Sequence, residues 1–157
     1  MEIEELQFLI KSGKSIENVI EEFNWKEFED LVSNVFEEND FKVIRNFRYK
    51  TKTRYEIDIL ALKGNYVLCV DCKEWGKGRY KKSGIKRAAR KQEERIKQLK
   101  KFLKNNPIAR EQLKIENQKI FPLIVTWLEE DLVKENNTFV VPIWKLNSFL
   151  LELEKYL

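Results

Sequence analysis

The sequence predicts an α/β domain in which a mixed β-sheet is covered by helices. The hydrophobic pattern switches between periods of 3.6 and 2 in the order α, β, β, β, α, β, β, α. Three consecutive strand-like runs precede a long helix and two further strands, so both hairpin and crossover connections are expected. With 157 residues, 43% of them hydrophobic, the chain can build one sizeable core. No repeat or linker divides it. Residues 1–157 are therefore expected to form a single domain, with a helical extension at 1–23, a core at 24–128 and a closing strand and helix at 129–157.

Each element has its own signal. Short helices are predicted at 2–12 and 15–23, the second capped by Ser15. "NWKEFEDLVSNVFEEN" (24–39) is a stronger helix: Asn24 is an N-cap candidate with Glu27 three residues on, and Trp25, Phe28, Val32, Val35 and Phe36 recur at helical spacing. "FKVIRNFRY" (41–49) reads as a strand, and 53–63 with 65–75 as a hairpin around Lys63-Gly64-Asn65. "GKGRYKKSG" (76–84) is a glycine-rich basic loop, followed by a helix from about 85 to 105 that stops before Pro107. Strands follow at 119–128 and 138–144, where Pro122 and Pro142 imply edge, short or irregular strands. Residues 145–157 close the chain as an amphipathic helix.

Several functions are excluded at once. There is no histidine, which removes Ser-His and Cys-His catalysis and histidine-ligated metals. Cys69 and Cys72 lie three apart in a strand, so they face opposite ways and should not pair; alone they cannot build a zinc site. A hard cation held by carboxylates is compatible with this composition. No apolar run nears the ~20 residues that span a bilayer, and the acidic start "MEIEELQFLI" is no secretory signal. The expected setting is cytoplasmic, without a membrane partner.

The net charge of +4 conceals an asymmetry. Residues 1–40 carry twelve acidic and three basic side chains, whereas 41–54 carry six basic and none acidic, and 73–104 fourteen basic against three acidic. A charge run can be merely a solvated face. Two basic blocks flanking one hairpin fit the footprint of a polyanion.

Within that apolar hairpin stand Glu56, Asp58, Asp71 and Lys73. Strict alternation would put Glu56, Asp58, Leu60 and Leu62 on one face of their strand, and Val67, Cys69, Asp71 and Lys73 on one face of the next. A tight turn at Gly64 brings position 58 opposite 70 or 71, so Asp58 and Asp71 come within a few ångströms. Two carboxylates that close raise each other's pKa unless a cation lies between them. Glu29 and Gln92 are the polar members of otherwise apolar helix faces and should turn toward the same sheet. Each has a plainer reading: Glu29 reaching a helix-flank lysine, Gln92 satisfying a buried main-chain group, Asp71 and Lys73 forming a strand-end ion pair.

Taken together, these residues resemble the PD-(D/E)xK nuclease superfamily, and most closely its Mrr-like restriction endonuclease and archaeal Holliday junction resolvase branches. The carriers are Asp58 in "EIDIL", Asp71-Cys72-Lys73 in "CVDCKEW", Glu29 in "FEDLV" and Gln92 on the following helix. The resemblance spans residues 24–104 and implies a restriction-endonuclease-like core. It implies a Mg²⁺ ion (Mn²⁺ as a substitute) on Asp58, Asp71, the Cys72 carbonyl and Glu29, with Lys73 and Gln92 assisting hydrolysis of a DNA phosphodiester. Asp71 stands where the Mrr-like branch commonly has Glu, and Glu56 has no family counterpart.

Duplex or branched DNA would be gripped by Arg45, Arg48, Lys50, Lys52 and Arg54 before the site and Lys77, Arg79, Lys81 and Lys82 after it. Trp75 and Tyr80 could stack on bases. With few base-reading features, selectivity for structure is expected over sequence. A homodimer follows only by family analogy. Two other readings stay open: a non-catalytic nucleic-acid-binding subunit with this fold, and an RNA endonuclease.

Overall fold

The computed structural model describes residues 25–73, 82–127 and 132–157. The predicted helices before residue 24, most of the basic loop and residues 128–131 lie outside that set. Among the described residues the elements are α1 (Trp25–Glu38), β1 (Lys42–Lys50), β2 (Arg54–Lys63), β3 (Tyr66–Lys73), α2 (Lys82–Asn105), α3 (Pro107–Leu113), β4 (Lys119–Thr126), β5 (Val133–Glu135), β6 (Thr138–Pro142), α4 (Ile143–Leu151) and α5 (Leu153–Tyr156).

The strands form a six-stranded sheet ordered β1-β2-β3-β4-β6-β5. β1, β2 and β3 are antiparallel neighbours; β4 lies parallel to β3 and β6 parallel to β4. This is the expected mixed sheet. The β2–β3 register follows from the turn: Lys63 pairs with Tyr66 across Gly64-Asn65, and Gly64 takes φ 54°, as the first central residue of a type II′ turn requires.

Hydrophobic clusters cover both faces of the sheet. On one, Phe28, Leu31, Val32 and Phe36 of α1 and Leu146 and Phe149 of α4 pack on Ile59, Ala61, Leu68, Val70 and Val125, with Phe28 stacked on Trp127 at 4.7 Å. On the other, Ile96, Leu99 and Leu103 of α2 pack on Leu60, Val67 and Cys69. Cys69 and Cys72 are free, buried and on opposite faces, as their spacing implies.

Alternation fails in β2. Ile59 and Ala61 face α1, yet Tyr55 and Ile57 join Leu60 and Leu62 on the α2 face. β1 changes in step: Val43 and Ile44 alternate normally, after which Phe47 and Tyr49 occupy the α2 face. The register is continuous on either side, Arg45 with Ile59 and Phe47 with Ile57. Both strands therefore slip by one face at the intervening positions, Asn46 and Asp58. Asn46 adopts φ 52°, a left-handed conformation that asparagine tolerates better than most side chains. The expected row Glu56–Asp58–Leu60–Leu62 is thereby broken, and Asp58 sits at the break.

Pro122 lies in a central strand rather than at an edge, and the irregularity that was the alternative expectation appears as incomplete pairing. β6 pairs with β4 only from Leu123 onward, so Lys119–Pro122 have no partner on that side. Pro142 ends β6 and leads directly into α4, so Ile143 and Trp144 are helical rather than strand. The closing helix divides at Glu152 instead of running unbroken. α3, β5 and the earlier start of α2 are additional to the elements predicted.

Gln92 is buried on α2, and its amide nitrogen donates to the carbonyls of Cys69 (2.8 Å) and Leu123 (2.9 Å), stitching β3 to β4. Cys69 is the register partner of Pro122, so the amide sits beside the position that supplies no N–H. Gln92→Leu strands two buried acceptors at about 1–3 kcal/mol each. Chemical denaturation should show a loss of a few kcal/mol; an unchanged midpoint and slope would contradict this role.

Candidate active site

The acidic residues meet where β2 and β3 part. Their ladder ends at Ile59–Val70, which makes Asp58 and Asp71 the next opposed pair. Beyond the ladder the Cys72 amide donates to Asp58 Oδ2 at 3.0 Å in place of a strand partner. A strand residue's N–H and C=O point to the same edge, so the Cys72 carbonyl faces Asp58's side as well. Asp71 lies on the α2 face, where Lys73 Nζ stands 3.3 Å and Arg95 Nη1 3.7 Å from its Oδ2. Lys73 is near enough for an ion pair but not aligned as a donor, and Arg95 is out of range, so this buried oxygen accepts no hydrogen bond.

Glu29 approaches from α1, on the opposite face of the sheet, and is 7% exposed. Arg45 bridges it to Asp30, with Nη2 3.4 Å from Glu29 and Nη1 2.8 Å from Asp30. Burial works against the Arg45 charge, but Asp30 and Glu29 outweigh it and hold the guanidinium above its ordinary pKa. Among the described residues no three acidic or cysteine side chains converge tightly enough to form a ready-made metal cage. The arrangement is a carboxylate pair, with the third acid, Glu29, ion-paired to Arg45.

Asp58 carries the electrostatic strain. Burial, and then the charges of Asp71 and Glu29, push its carboxyl up to about 7 against the opposing pull of the Cys72 amide. Burial also pushes the Cys72 thiol well up, so it is a packed side chain rather than a thiolate ligand. Crowded hard-oxygen donors, one of them an Asp71 oxygen that accepts no hydrogen bond, fit a divalent cation. Lys73 and Arg95 occupy its approach.

Of the residues expected in the site, Asp58, Asp71, Lys73 and the Cys72 main chain are brought together. The expected donation from Gln92 to water or phosphate is corrected, because an amide has two N–H groups and both are committed to the sheet. Gln92 instead acts through Oε1, which accepts from Arg95 Nη1 at 2.9 Å. Arg95 was missed; its sign in the sequence was its position three residues after Gln92, beside the apolar stripe of α2.

The basic blocks divide. Arg45 is not available to phosphate, being committed to Glu29 and Asp30. Arg48 pairs with its cross-strand partner Glu56 at 2.9 Å, which assigns Glu56 a surface ion pair. Lys50, Lys52 and Arg54 are exposed at the β1–β2 tip, at the same end of β2 as Asp58. Trp75, Lys77, Arg79, Tyr80, Lys81 and the Lys82 side chain lie outside the described residues. None of the described helices is long and apolar enough to cross a membrane.

Residues 24–127 match the family described as NERD, the nuclease-related domain. The chain belongs to the NERD family. The sheet and its helices are accordingly a restriction-endonuclease-like nuclease fold, and the match covers the four acid-site residues Glu29, Asp58, Asp71 and Lys73. An uncharacterized protein of Archaeoglobus fulgidus is similar to this NERD chain, at 29% identity over 134 residues, 85% of this chain and 94% of that protein.

Proposed function

We propose that this NERD chain is a metal-dependent endonuclease that hydrolyses DNA phosphodiesters and selects structure rather than sequence. The observation that carries the reading is the opposed Asp58–Asp71 pair, with Lys73 Nζ 3.3 Å from Asp71. Asp58, Asp71 and the Cys72 carbonyl would hold Mg²⁺ or Mn²⁺, joined by Glu29 if Arg45 releases it. Bound there, the ion would polarise the phosphodiester and acidify water. Lys73 orients the attacking water or offsets negative charge on the phosphorus centre. Asp58 must be ionised to act as a ligand, so its raised pKa makes loading pH-dependent.

Lys50, Lys52 and Arg54 grip the backbone at the hairpin tip, and Lys77, Arg79, Lys81 and Lys82 add to them, with affinity that falls steeply with salt. Kinship with the Mrr-like and Holliday junction resolvase branch, supported by "FEDLV" and Asp71-Cys72-Lys73, and a homodimer with one site per strand complete the proposal. Plasmid, single-stranded, duplex and four-way-junction DNA, with RNA hairpins alongside, form the test. Mg²⁺-dependent cleavage of DNA that EDTA stops is expected; an inert protein across the panel, with Mg²⁺ or Mn²⁺, would sink the reading.

The clasp of Arg45 on Glu29 favours one rival, a DNA-binding subunit without catalysis. That rival predicts salt-sensitive DNA binding with no divalent-ion binding.

A further inference from the structure

The two arginines at the acid site differ in what they have left to offer. Arg45 spends both terminal nitrogens on Glu29 and Asp30. Among the described residues Arg95 uses only Nη1, which donates to Gln92 Oε1 at 2.9 Å and stands 3.7 Å from Asp71 Oδ2. Among the described residues its Nε and Nη2 have no hydrogen-bond partner, and the side chain is 24% exposed. Nε and Nη2 make up one edge of the guanidinium, the fork that matches two oxygens of a phosphate. The group is also pre-oriented, because Gln92 is itself anchored on two sheet carbonyls. On the same face Lys73 lies 3.3 Å from the same Asp71 oxygen.

We propose that Arg95 is a phosphate-binding residue of this site, presenting its Nε/Nη2 edge to a backbone phosphate of the nucleic acid beside Asp71. The proposal rests on the nucleic-acid-binding part of the function above but not on cleavage. A salt bridge whose whole purpose was to neutralise Asp71 would turn the fork toward that carboxylate. Here the nearest approach is a single nitrogen beyond hydrogen-bonding range. Fixing the stem through Gln92 reduces the entropy lost when the phosphate arrives.

The test is fluorescence anisotropy with a short labelled DNA duplex, in EDTA so that nothing is cut, across a salt series. Arg95→Ala should weaken binding roughly tenfold near 0.1 M salt and reduce the slope of log Kd against log salt by about 1, the signature of one lost phosphate contact. Arg95→Lys, which keeps a charge but not the fork, should leave the slope near wild type while weakening binding by a smaller factor. If Arg95→Ala loses its folding transition, Arg95→Gln takes its place. A folded neutral variant with wild-type affinity and slope overturns the proposal, as does a wild-type protein with no measurable affinity at low salt. Wild type that binds without ever cutting sinks the cleavage reading alone, and the slope comparison still decides the role of Arg95.

Discussion

Asp71→Asn should abolish DNA cleavage while leaving the protein folded and able to bind DNA. Asp71 is 6% exposed, and its buried Oδ2 is ion-paired to Lys73 but accepts no hydrogen bond, which suits the cation-ligand role proposed for it. Losing groups that merely support a metal ligand costs about 10–100-fold, so loss of a ligand should exceed about a hundredfold in kcat. The fold should survive because asparagine has nearly the same shape and adds no charge to the buried cluster. Single-turnover cleavage with the variant and wild type at saturating Mg²⁺ measures the ratio, and circular dichroism controls for folding. A variant within a few-fold of wild-type rate would remove Asp71 from the chemistry.

Asp58→Asn should stabilise the metal-free protein at alkaline pH while destroying its activity. The folded-state pKa of Asp58 is raised from 3.8 to about 7, chiefly by burial. The unfolded chain therefore gives up this proton first, and stability falls as pH rises from the unfolded value through about 7, with the loss complete above it. Asparagine cannot ionise, so the variant escapes that loss while its side-chain oxygen can still accept from the Cys72 amide. The melting temperature of the variant relative to wild type should rise by several degrees between pH 5 and pH 8. A change of ~1 kcal/mol moves the midpoint about 2–4 °C in a chain of this size. Saturating Mg²⁺ should close the gap by stabilising only the wild type. An equal difference at both pH values, or a variant that loses ground at pH 8, would show that Asp58 is not a strained carboxyl. The gain in stability at the cost of activity is what a site that stores electrostatic strain predicts.

What could be read from the sequence depended on how local the physics was. The tight turn at Gly64-Asn65 brought position 58 opposite 70 or 71, and the register, with Ile59 on Val70, selects Asp71. The apolar spacing of Phe28, Val32 and Phe36, and of Ile96, Leu99 and Leu103, marked the buried faces of α1 and α2. Side chains whose partners lie far along the chain were not legible in this way. Nothing near Arg45 announces that it will cross to α1 and clasp Glu29 and Asp30. Gln92 was correctly turned inward, but only the sheet shows that Cys69 and Leu123 consume both its donors. The slip at Asn46 and Asp58 has no signature in the alternating pattern, although Asn46 is a residue type that tolerates the left-handed conformation it adopts. Pro107 both stops α2 and starts α3, since proline suits the first position of a helix as well as the end of one.

The central claim is that Asp58 and Asp71 share one hard cation, and calorimetric titration of the metal-free protein with Mn²⁺ tests it most directly. The predicted result is one ion per chain, bound with release of a proton near pH 6 as Asp58 ionises, and no binding in Asp58→Asn or Asp71→Asn. Mn²⁺ binding that persists unchanged in both variants, or is absent from the wild type, would contradict it.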